Sequence, residues 1–230
     1  MSNSPPVEMP VDPRHLLIIG TGPGLGAAIA RRFVLGGYRV TLMARSTDRL
    51  DALAKDLVDS GAVVDTVAAD ASDPEGLRAA LTELYGHREA PGLVVYHASL
   101  FATDSLTDIG VAAMHQAYDV DVVSGVVTAQ AVVPAMRAAG GGTILFTGGG
   151  FADYPVPVMA TLSIGKAALR SAATMLGADL AGDGIRVASV TIAGQIVPGT
   201  PFDPERIAET YWTIVQSDSH WRSEFRFEGA

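Results

Sequence analysis

The sequence predicts an α/β fold, a doubly wound parallel sheet of about seven strands with helices on both faces. Strand and helix patterns alternate along the whole chain, and a dense run of glycines separates the first predicted strand from the first predicted helix. No linker-like segment divides the 230 residues. Repeated strand–helix units require a parallel sheet covered by helices, and this length suits one large domain better than two.

Short apolar segments bounded by turn residues are predicted to form the strands. In chain order they cover residues 16–19, 39–44, 62–69, 93–97, 143–147 and 185–192, with an end strand near 221–227. Gly36 and Gly37 end the first helix, Ser46 and Asp48 can cap the second, and Pro74 opens the third. The predicted helices cover residues 27–35, 74–85, 120–139, 161–181 and 204–216, and a further one, with Leu50, Leu53 and Leu57 on one face, ends at Ser60 and Gly61.

Composition limits the classes of partner. The chain is 48% hydrophobic and 18% charged, so it can bury a sizeable core. A net charge of −9 argues against nucleic acid and anionic membranes as partners. The absence of cysteine excludes disulfides, thiolate nucleophiles and cysteine-bound metals, and the five scattered histidines form no metal-binding motif. We therefore expect no metal site.

The first 13 residues differ in composition from the rest. They are rich in serine and proline and lack the basic and apolar segments of a signal peptide. We predict a flexible tail over residues 1–13 and a single domain over residues 14–230. We expect no apolar run long enough to span a bilayer, and we predict a cytoplasmic location.

The glycine run has the spacing of a phosphate-binding turn. A glycine at the end of the strand permits a sharp turn, and the later glycines carry no Cβ to block a phosphate or the neighbouring strand. The free N–H groups at the start of the helix then face the pyrophosphate of a dinucleotide. The alternative is a glycine-rich turn without a ligand. Such a turn would lose more backbone entropy on folding than an ordinary turn, without a bound ligand to compensate. The predicted contacts are Gly20, Thr21, Gly22, Gly24, Leu25 and Gly26.

The ends of the second and third strands refine the cofactor. Arg45 and Ser46 stand where an acidic residue would bind the ribose hydroxyl of NAD(H), so the guanidinium favours the 2′-phosphate of NADP(H). The alternative is an ordinary surface arginine. Asp70, followed by Ala71, can accept a hydrogen bond from the adenine amino group, or it can cap the next turn.

The chain resembles the short-chain dehydrogenase/reductase family over nearly its full length. The matching motifs are Gly20-x-x-x-Gly24-x-Gly26, Asp70, Asp119-Val120-Asp121, Lys166-Ala167-Ala168-Leu169 and Gly184-Ile185-Arg186-Val187. The resemblance implies a Rossmann-type sheet, a nicotinamide cofactor and a homodimer or homotetramer built on the two long helices. It also implies that Ala98 and Lys166 contact the cofactor.

The sequence departs from the family at the catalytic set of Ser, Tyr, Lys and Asn. Lys166 is present, but the Tyr position holds Leu162, the Ser position Gly149 and the Asn position Asp121. Leucine has no proton to exchange and glycine offers no hydroxyl, so the usual acid–base catalyst is absent. The neighbours Thr161 and Ser163 point about 100° away on a helix and are not replacements.

Three other side chains are candidates for the acid–base role. Tyr154 follows the fifth strand, and the alternative is an aromatic wall of the pocket. His97 ends the fourth strand, and the alternative is a structural histidine. Asp121 could pair with Lys166 or His97, and the alternative is a carboxylate that binds water or a backbone N–H.

Three functions remain open. The first is an atypical oxidoreductase that transfers hydride between NADP(H) and a small carbonyl or alcohol substrate, with a non-standard proton donor. The second is a non-redox enzyme on the same fold, such as a dehydratase, isomerase or cyclase. The third is a non-catalytic nucleotide-binding protein, because fold alone does not fix function.

Overall fold

The computed structural model describes residues 11–86, 88–217 and 221–229. Seven strands form one parallel sheet in the order β3-β2-β1-β4-β5-β6-β7. The strands are β1 (Val11–Ile19), β2 (Arg39–Ala44), β3 (Val64–Ala68), β4 (Ala90–Tyr96), β5 (Gly142–Gly149), β6 (Ile185–Ile192) and β7 (Glu224–Phe227). The predicted doubly wound sheet of about seven strands is confirmed.

Helices cover both faces of the sheet. They are α1 (Leu25–Leu35), α2 (Thr47–Asp59), α3 (Pro74–Gly86), α4 (Val111–Tyr118), α5 (Ser124–Ala138), α6 (Ala160–Leu180) and α7 (Pro204–Gln216). One core cluster packs α1, α2 and α7 on the first face, and a second packs α3, α5 and α6 on the other. Each face is thus sealed by apolar side chains, as a parallel sheet requires.

The strand order reverses beside β1. The chain runs from β1 outward through β2 to β3, and then returns through α3 to place β4 on the other side of β1. In open α/β sheets, ligands bind outside the carboxyl ends of the strands at such a switch point. The loops that follow β1 and β4 therefore position the candidate site.

β1 begins earlier than the sequence predicts. Val11, Asp12 and Pro13, which the sequence places in the tail, belong to β1, and Val11 pairs with Ala90 of β4. The pairing register shifts between Asp12 and Leu16, and a Cβ on Gly92 would lie 2.6 Å from the Cα of Pro13. A proline enters the strand here because β4 offers a glycine opposite it. Residues 1–10 of the predicted tail lie outside the described residues.

The long central helix also begins earlier than predicted. It runs from Val111 to Ala138, and its turn at Asp119–Val123 has π-helical hydrogen bonding. Sequence periodicity misses α4 because nearly all of its side chains are exposed. Among the described residues, this one helix is long and apolar enough to cross a bilayer, contrary to our expectation, but 61% of its most apolar window is buried. Its packing against the sheet is that of a core helix.

Candidate active site

The glycine turn between β1 and α1 leaves a cradle for an anion. Gly20 has a φ of +88°, and a Cβ there would lie 2.3 Å from the backbone nitrogen of Ala98, so only glycine fits. Nothing lies within 4 Å of where a Cβ on Gly22 or Gly24 would stand. α1 starts after Gly24 with no side-chain cap and no acidic residue in its first turn. The N–H groups of Leu25 and Gly26 make no hydrogen bond among the described residues and can bind phosphate, whereas Ala27 N donates to Gly22 O at 3.1 Å.

The other residues of this turn set its shape. Met43 O accepts hydrogen bonds from Gly20 N (2.9 Å) and Thr21 N (3.1 Å), which ties the turn to β2. A Cβ on Gly26 would lie 3.1 Å from the Cα of Thr21, so this glycine lets α1 approach closely. Leu25 is buried in the core, and it faces a ligand only through its backbone.

Arg45 and Ser46 follow β2 at the same edge of the sheet. Both side chains are exposed. Arg45 has no ion pair or hydrogen bond among the described residues. Ser46 holds the cap position of α2, as predicted, but its hydroxyl makes no cap hydrogen bond. The Arg45 guanidinium and the Ser46 hydroxyl therefore stand without a partner at the end of β2, the strand that pairs with β1. Such a pair of groups suits a phosphate.

Asp70 and Ala71 follow β3. Asp70 Oδ1 accepts a hydrogen bond from Ser72 N at 2.9 Å, so the carboxylate caps the turn, which is the alternative that the sequence left open. Ala71 O accepts a hydrogen bond from Ser124 Oγ at 2.7 Å. This bond ties the loop after β3 to the long central helix.

Lys166 of α6 lies at the end of β5. Its side chain is buried, and Nζ donates to Thr147 O at 2.9 Å. Leu162 is fully buried, one turn earlier on α6. A Cβ on Gly149 would lie 3.7 Å from its nearest neighbours, Lys166 Cγ and Phe151 Cδ2, so the position has room for a serine that the sequence does not supply.

Asp121 lies on the π turn, and its side chain is fully buried. Oδ1 accepts hydrogen bonds from Ser99 Oγ (2.6 Å) and Leu100 N (3.1 Å), whereas Oδ2 is buried without a partner among the described residues. Burial raises the pKa of Asp121 and lowers the pKa of Lys166, and each charge partly offsets the effect on the other. Among the described residues Asp121 accepts no hydrogen bond from Lys166 or His97, and Oδ1 instead accepts from the backbone N–H of Leu100, which is the alternative that the sequence left open.

His97 directly follows β4 and is partly buried. Its Nδ1 lies 3.1 Å from Thr147 Oγ1, which lies 2.7 Å from the hydroxyl of Tyr211. Burial, and then the charge of Lys166, lowers the pKa of His97 to about 4. The imidazole is therefore neutral near pH 7.

Tyr154 stands at the surface. Its side chain is 78% exposed. Its neighbour Asp153 pairs with Arg170 at 2.5 Å and with Arg226 at 2.7 Å, and these guanidinium groups hold the pKa of Asp153 below its usual range. These ion pairs hold the loop after β5, in which the side chain of Tyr154 is exposed. Its role as a proton donor stays a prediction.

The hydroxyls beside Leu162 are engaged elsewhere. Thr161 donates to Asp104, and Ser163 donates to Met159 O and accepts from Val156 N. Both sets of bonds hold the start of α6.

Sequence reasoning did not identify Thr147 and Tyr211 as site residues. Thr147 carried a usable signal, because it is a polar residue at the predicted carboxyl end of a strand. Tyr211 carried none, since it occupies a core position of an amphipathic helix. Among the described residues, no group of three or more His, Asp or Glu side chains could hold a metal ion.

Two cavities are described, and neither touches the glycine turn. One of about 450 Å³ lies between the end of α6, the start of β6 and Trp221. The other, of about 330 Å³, lies beside α4.

The fold and the glycine turn define a class, the dinucleotide-binding α/β proteins. Comparison with known proteins defines the family within it. A family model described as short chain dehydrogenase matches residues 14–201, and the chain belongs to the short-chain dehydrogenase/reductase family. This family binds nicotinamide cofactors and acts on small molecules.

Several relatives are similar over most of the chain. Sulfoacetaldehyde reductase 2 of Chromohalobacter salexigens is 29% identical over 88% of this chain and 75% of its own length. An uncharacterized oxidoreductase of Staphylococcus saprophyticus is 28% identical over 89% of this chain and 92% of its own. Among solved structures, L-sorbose reductase from Gluconobacter frateurii, complexed with NADPH and L-sorbose, has a TM-score of 0.87 at 23% identity and covers 97% of this chain and 98% of its own.

Proposed function

We propose that this chain is an NADP(H)-dependent oxidoreductase that acts on a small carbonyl or alcohol substrate and uses a proton donor other than the family's tyrosine. The observation that carries the proposal is the intact cofactor edge, namely an open glycine turn before an uncapped helix. A structure that keeps this edge while losing the tyrosine is best explained if the nicotinamide is still used. The cofactor supplies the hydride, and the protein positions it.

The residues that would hold the cofactor follow from their places on the sheet edge. The backbone of the turn from Gly20 to Gly26 would bind the pyrophosphate. Arg45 and Ser46 would bind the 2′-phosphate, Asp70 and Ala71 the adenine, and Ala98 and Lys166 the nicotinamide ribose. The free guanidinium of Arg45 supports NADP(H) over NAD(H). Solved relatives in complex with NADP or NADPH agree with that choice.

We further propose that Lys166 supplies the proton. One N–H of Nζ donates to Thr147 O, and the other two have no partner among the described residues. A lowered pKa makes the ammonium a better acid. In reduction, hydride joins the carbonyl carbon, the C=O π electrons move to oxygen, and that oxygen takes a proton from Nζ. Lys166 then regains a proton from solvent, and Asp121 balances its charge.

The first experiment is fluorescence titration of the purified protein with NADPH and NADH. We expect Arg45→Ala to weaken NADPH binding about tenfold or more, the loss expected for a charge-assisted phosphate contact, and to leave NADH binding unchanged. Arg222→Ala, an exposed arginine beyond β6, is the matched control. Failure of the wild type to bind either nucleotide would overturn the proposal.

The second experiment tests the proton donor. Small carbonyls are screened with NADPH, including a ketose and a sulfonated aldehyde, because relatives are named reductases of such compounds. We expect Lys166→Met to bind NADPH but to lower kcat by about 100-fold, the contribution of a positioned acid. Its residual rate should lose the pH dependence of the wild type. An unchanged pH profile would refute the role of Lys166.

A second candidate function is a non-catalytic nucleotide-binding protein. Leu162, at the tyrosine position, is fully buried and has no proton to exchange. Tight NADPH binding without turnover of any carbonyl or alcohol would favour this function. The same titration therefore separates it from a protein that binds no nucleotide.

We also propose that the protein is a cytoplasmic homodimer or homotetramer. The exposed apolar side chains of α4, Val111 (72% exposed) and Tyr118 (46%), support a contact through the long central helix. Sedimentation velocity of the purified protein tests the oligomeric state, and a monomer at micromolar concentration would contradict it.

A further inference from the structure

Three side chains from separate elements form a hydrogen-bonded chain behind the cofactor edge. Tyr211 of α7 is fully buried, and its hydroxyl lies 2.7 Å from Thr147 Oγ1 of β5. Thr147 Oγ1 lies 3.1 Å from Nδ1 of His97. The loop position of His97 is thus held by a residue 114 places further along the chain.

The direction of these hydrogen bonds follows from the inventory of partners. Tyr211 has no other hydrogen-bond partner among the described residues. If Thr147 donated to Tyr211, the phenolic O–H would be a buried donor without an acceptor, which is unfavourable. Tyr211 therefore donates to Thr147, and Thr147 donates to Nδ1. A neutral imidazole that accepts at Nδ1 carries its proton on Nε2.

The Nε2 edge of His97 faces the start of α1. A Cβ on Gly26 would lie 3.5 Å from His97 Cδ2, the carbon bonded to Nε2. Nε2 has no hydrogen-bond partner among the described residues. It is also absent from the fully buried side-chain atoms without a partner, which are Arg39 Nε, Tyr85 Oη and Asp121 Oδ2. Nε2 therefore keeps some solvent-accessible surface, beside the helix start whose Leu25 and Gly26 N–H groups can bind an anion.

We propose that Tyr211 and Thr147 are positioning residues that hold His97 as the Nε2–H tautomer, and that Nε2–H donates a hydrogen bond to a phosphate oxygen of the bound dinucleotide. This inference rests on the proposed function for the identity of the ligand. It gives His97 a binding role in place of proton transfer. The tautomer itself is a property of the protein without ligand, so it can be tested separately.

The first test is the tautomer of His97, measured by long-range ¹H–¹⁵N correlation NMR on histidine-labelled protein, with His97→Ala to assign the signals. We expect an unprotonated Nδ1 and a protonated Nε2 near pH 7. In Tyr211→Phe, Thr147 is free to accept from Nδ1–H, and we expect the other tautomer to gain population. Tyr38→Phe is the matched control, because Tyr38 packs on Trp212 of α7 through its ring. A wild-type His97 protonated at Nδ1 would overturn the inference.

The second test separates the phosphate contact from the rest of the site. Titrations use 2′-phospho-ADP-ribose, which has a pyrophosphate, and 2′-AMP, which has none. We expect His97→Ala and Tyr211→Phe to weaken binding of the first about fivefold, the loss of one hydrogen bond, and to leave the second unchanged. Equal loss for both ligands, or no loss for either, would overturn the contact. Failure of the wild type to bind 2′-AMP and NADPH would instead overturn the proposed function.

Discussion

His15 makes the stability of this protein depend on pH. Its side chain is 1% exposed at the start of the buried part of β1. Nε2 lies 2.8 Å from Thr41 Oγ1, and Nδ1 accepts a hydrogen bond from Arg39 Nη2 at 3.1 Å. An imidazole that accepts from arginine is neutral, with its proton on Nε2. Burial, and then the charge of Arg39, lowers the pKa of His15 to about 4.

The magnitude follows from linkage. The unfolded chain protonates His15 below the ordinary histidine pKa of 6.5, whereas the folded chain does so only below about 4. Between those values the unfolded state binds more protons, so the free energy of unfolding falls as pH falls. At about 1.4 kcal/mol for each pH unit, His15 removes about 2 kcal/mol at pH 5 and about 3 kcal/mol at pH 4.

The assay is urea unfolding of the wild type and His15→Asn at pH 7.5 and pH 5.0. His97 contributes to the pH dependence of both proteins, so the difference between them isolates His15. We expect the wild type to lose about 2 kcal/mol more than His15→Asn between the two pH values. His115→Asn, at an exposed helix position, is the matched control. An equal loss in the wild type and His15→Asn would refute the reasoning.

Three further predictions concern glycines. Gly20→Ala should abolish folding or NADPH binding, because the new Cβ would lie 2.3 Å from the backbone nitrogen of Ala98. Gly22→Ala should fold normally, because no atom lies within 4 Å of its Cβ position. Thermal unfolding compares the two variants. Gly165→Ala places a Cβ 2.6 Å from that of the buried aspartate, and urea titration should show a loss of about 1–3 kcal/mol. Gly149→Ser combined with Leu162→Tyr should raise kcat/KM for carbonyl reduction about 100-fold; a folded variant with no gain would contradict the proposed loss of the proton donor.

Much of the fold could be predicted because local patterns specify it. β2, β6 and α7 have the predicted bounds, since each is a clean apolar run or helix with clear end signals. The start of β1 could not be predicted, because Pro13 enters a strand only where Gly92 faces it from a distant segment. α4 was missed because an exposed helix shows no apolar periodicity.

In the candidate site, too, features that depend on a local motif could be predicted, whereas features that depend on distant contacts could not. The glycine turn, Arg45 and Lys166 could be proposed as site residues from the sequence because short motifs point to them. The contact of Thr147 with Tyr211 joins residues 64 positions apart, so no local sequence pattern predicts it. The outward position of Tyr154 depends on ion pairs of its neighbour with Arg170 and Arg226, which also lie far along the chain.

The π turn at Asp119–Val123 has a consequence for the helical phase of the long helix. A π turn holds one residue more than an α turn, so side chains beyond it are rotated by about 100° relative to those before it. Deleting one residue of this turn would bring the two halves into phase and rotate either Asp121 off the site or α5 off the sheet. Substitutions there are expected to be tolerated better than any change of length.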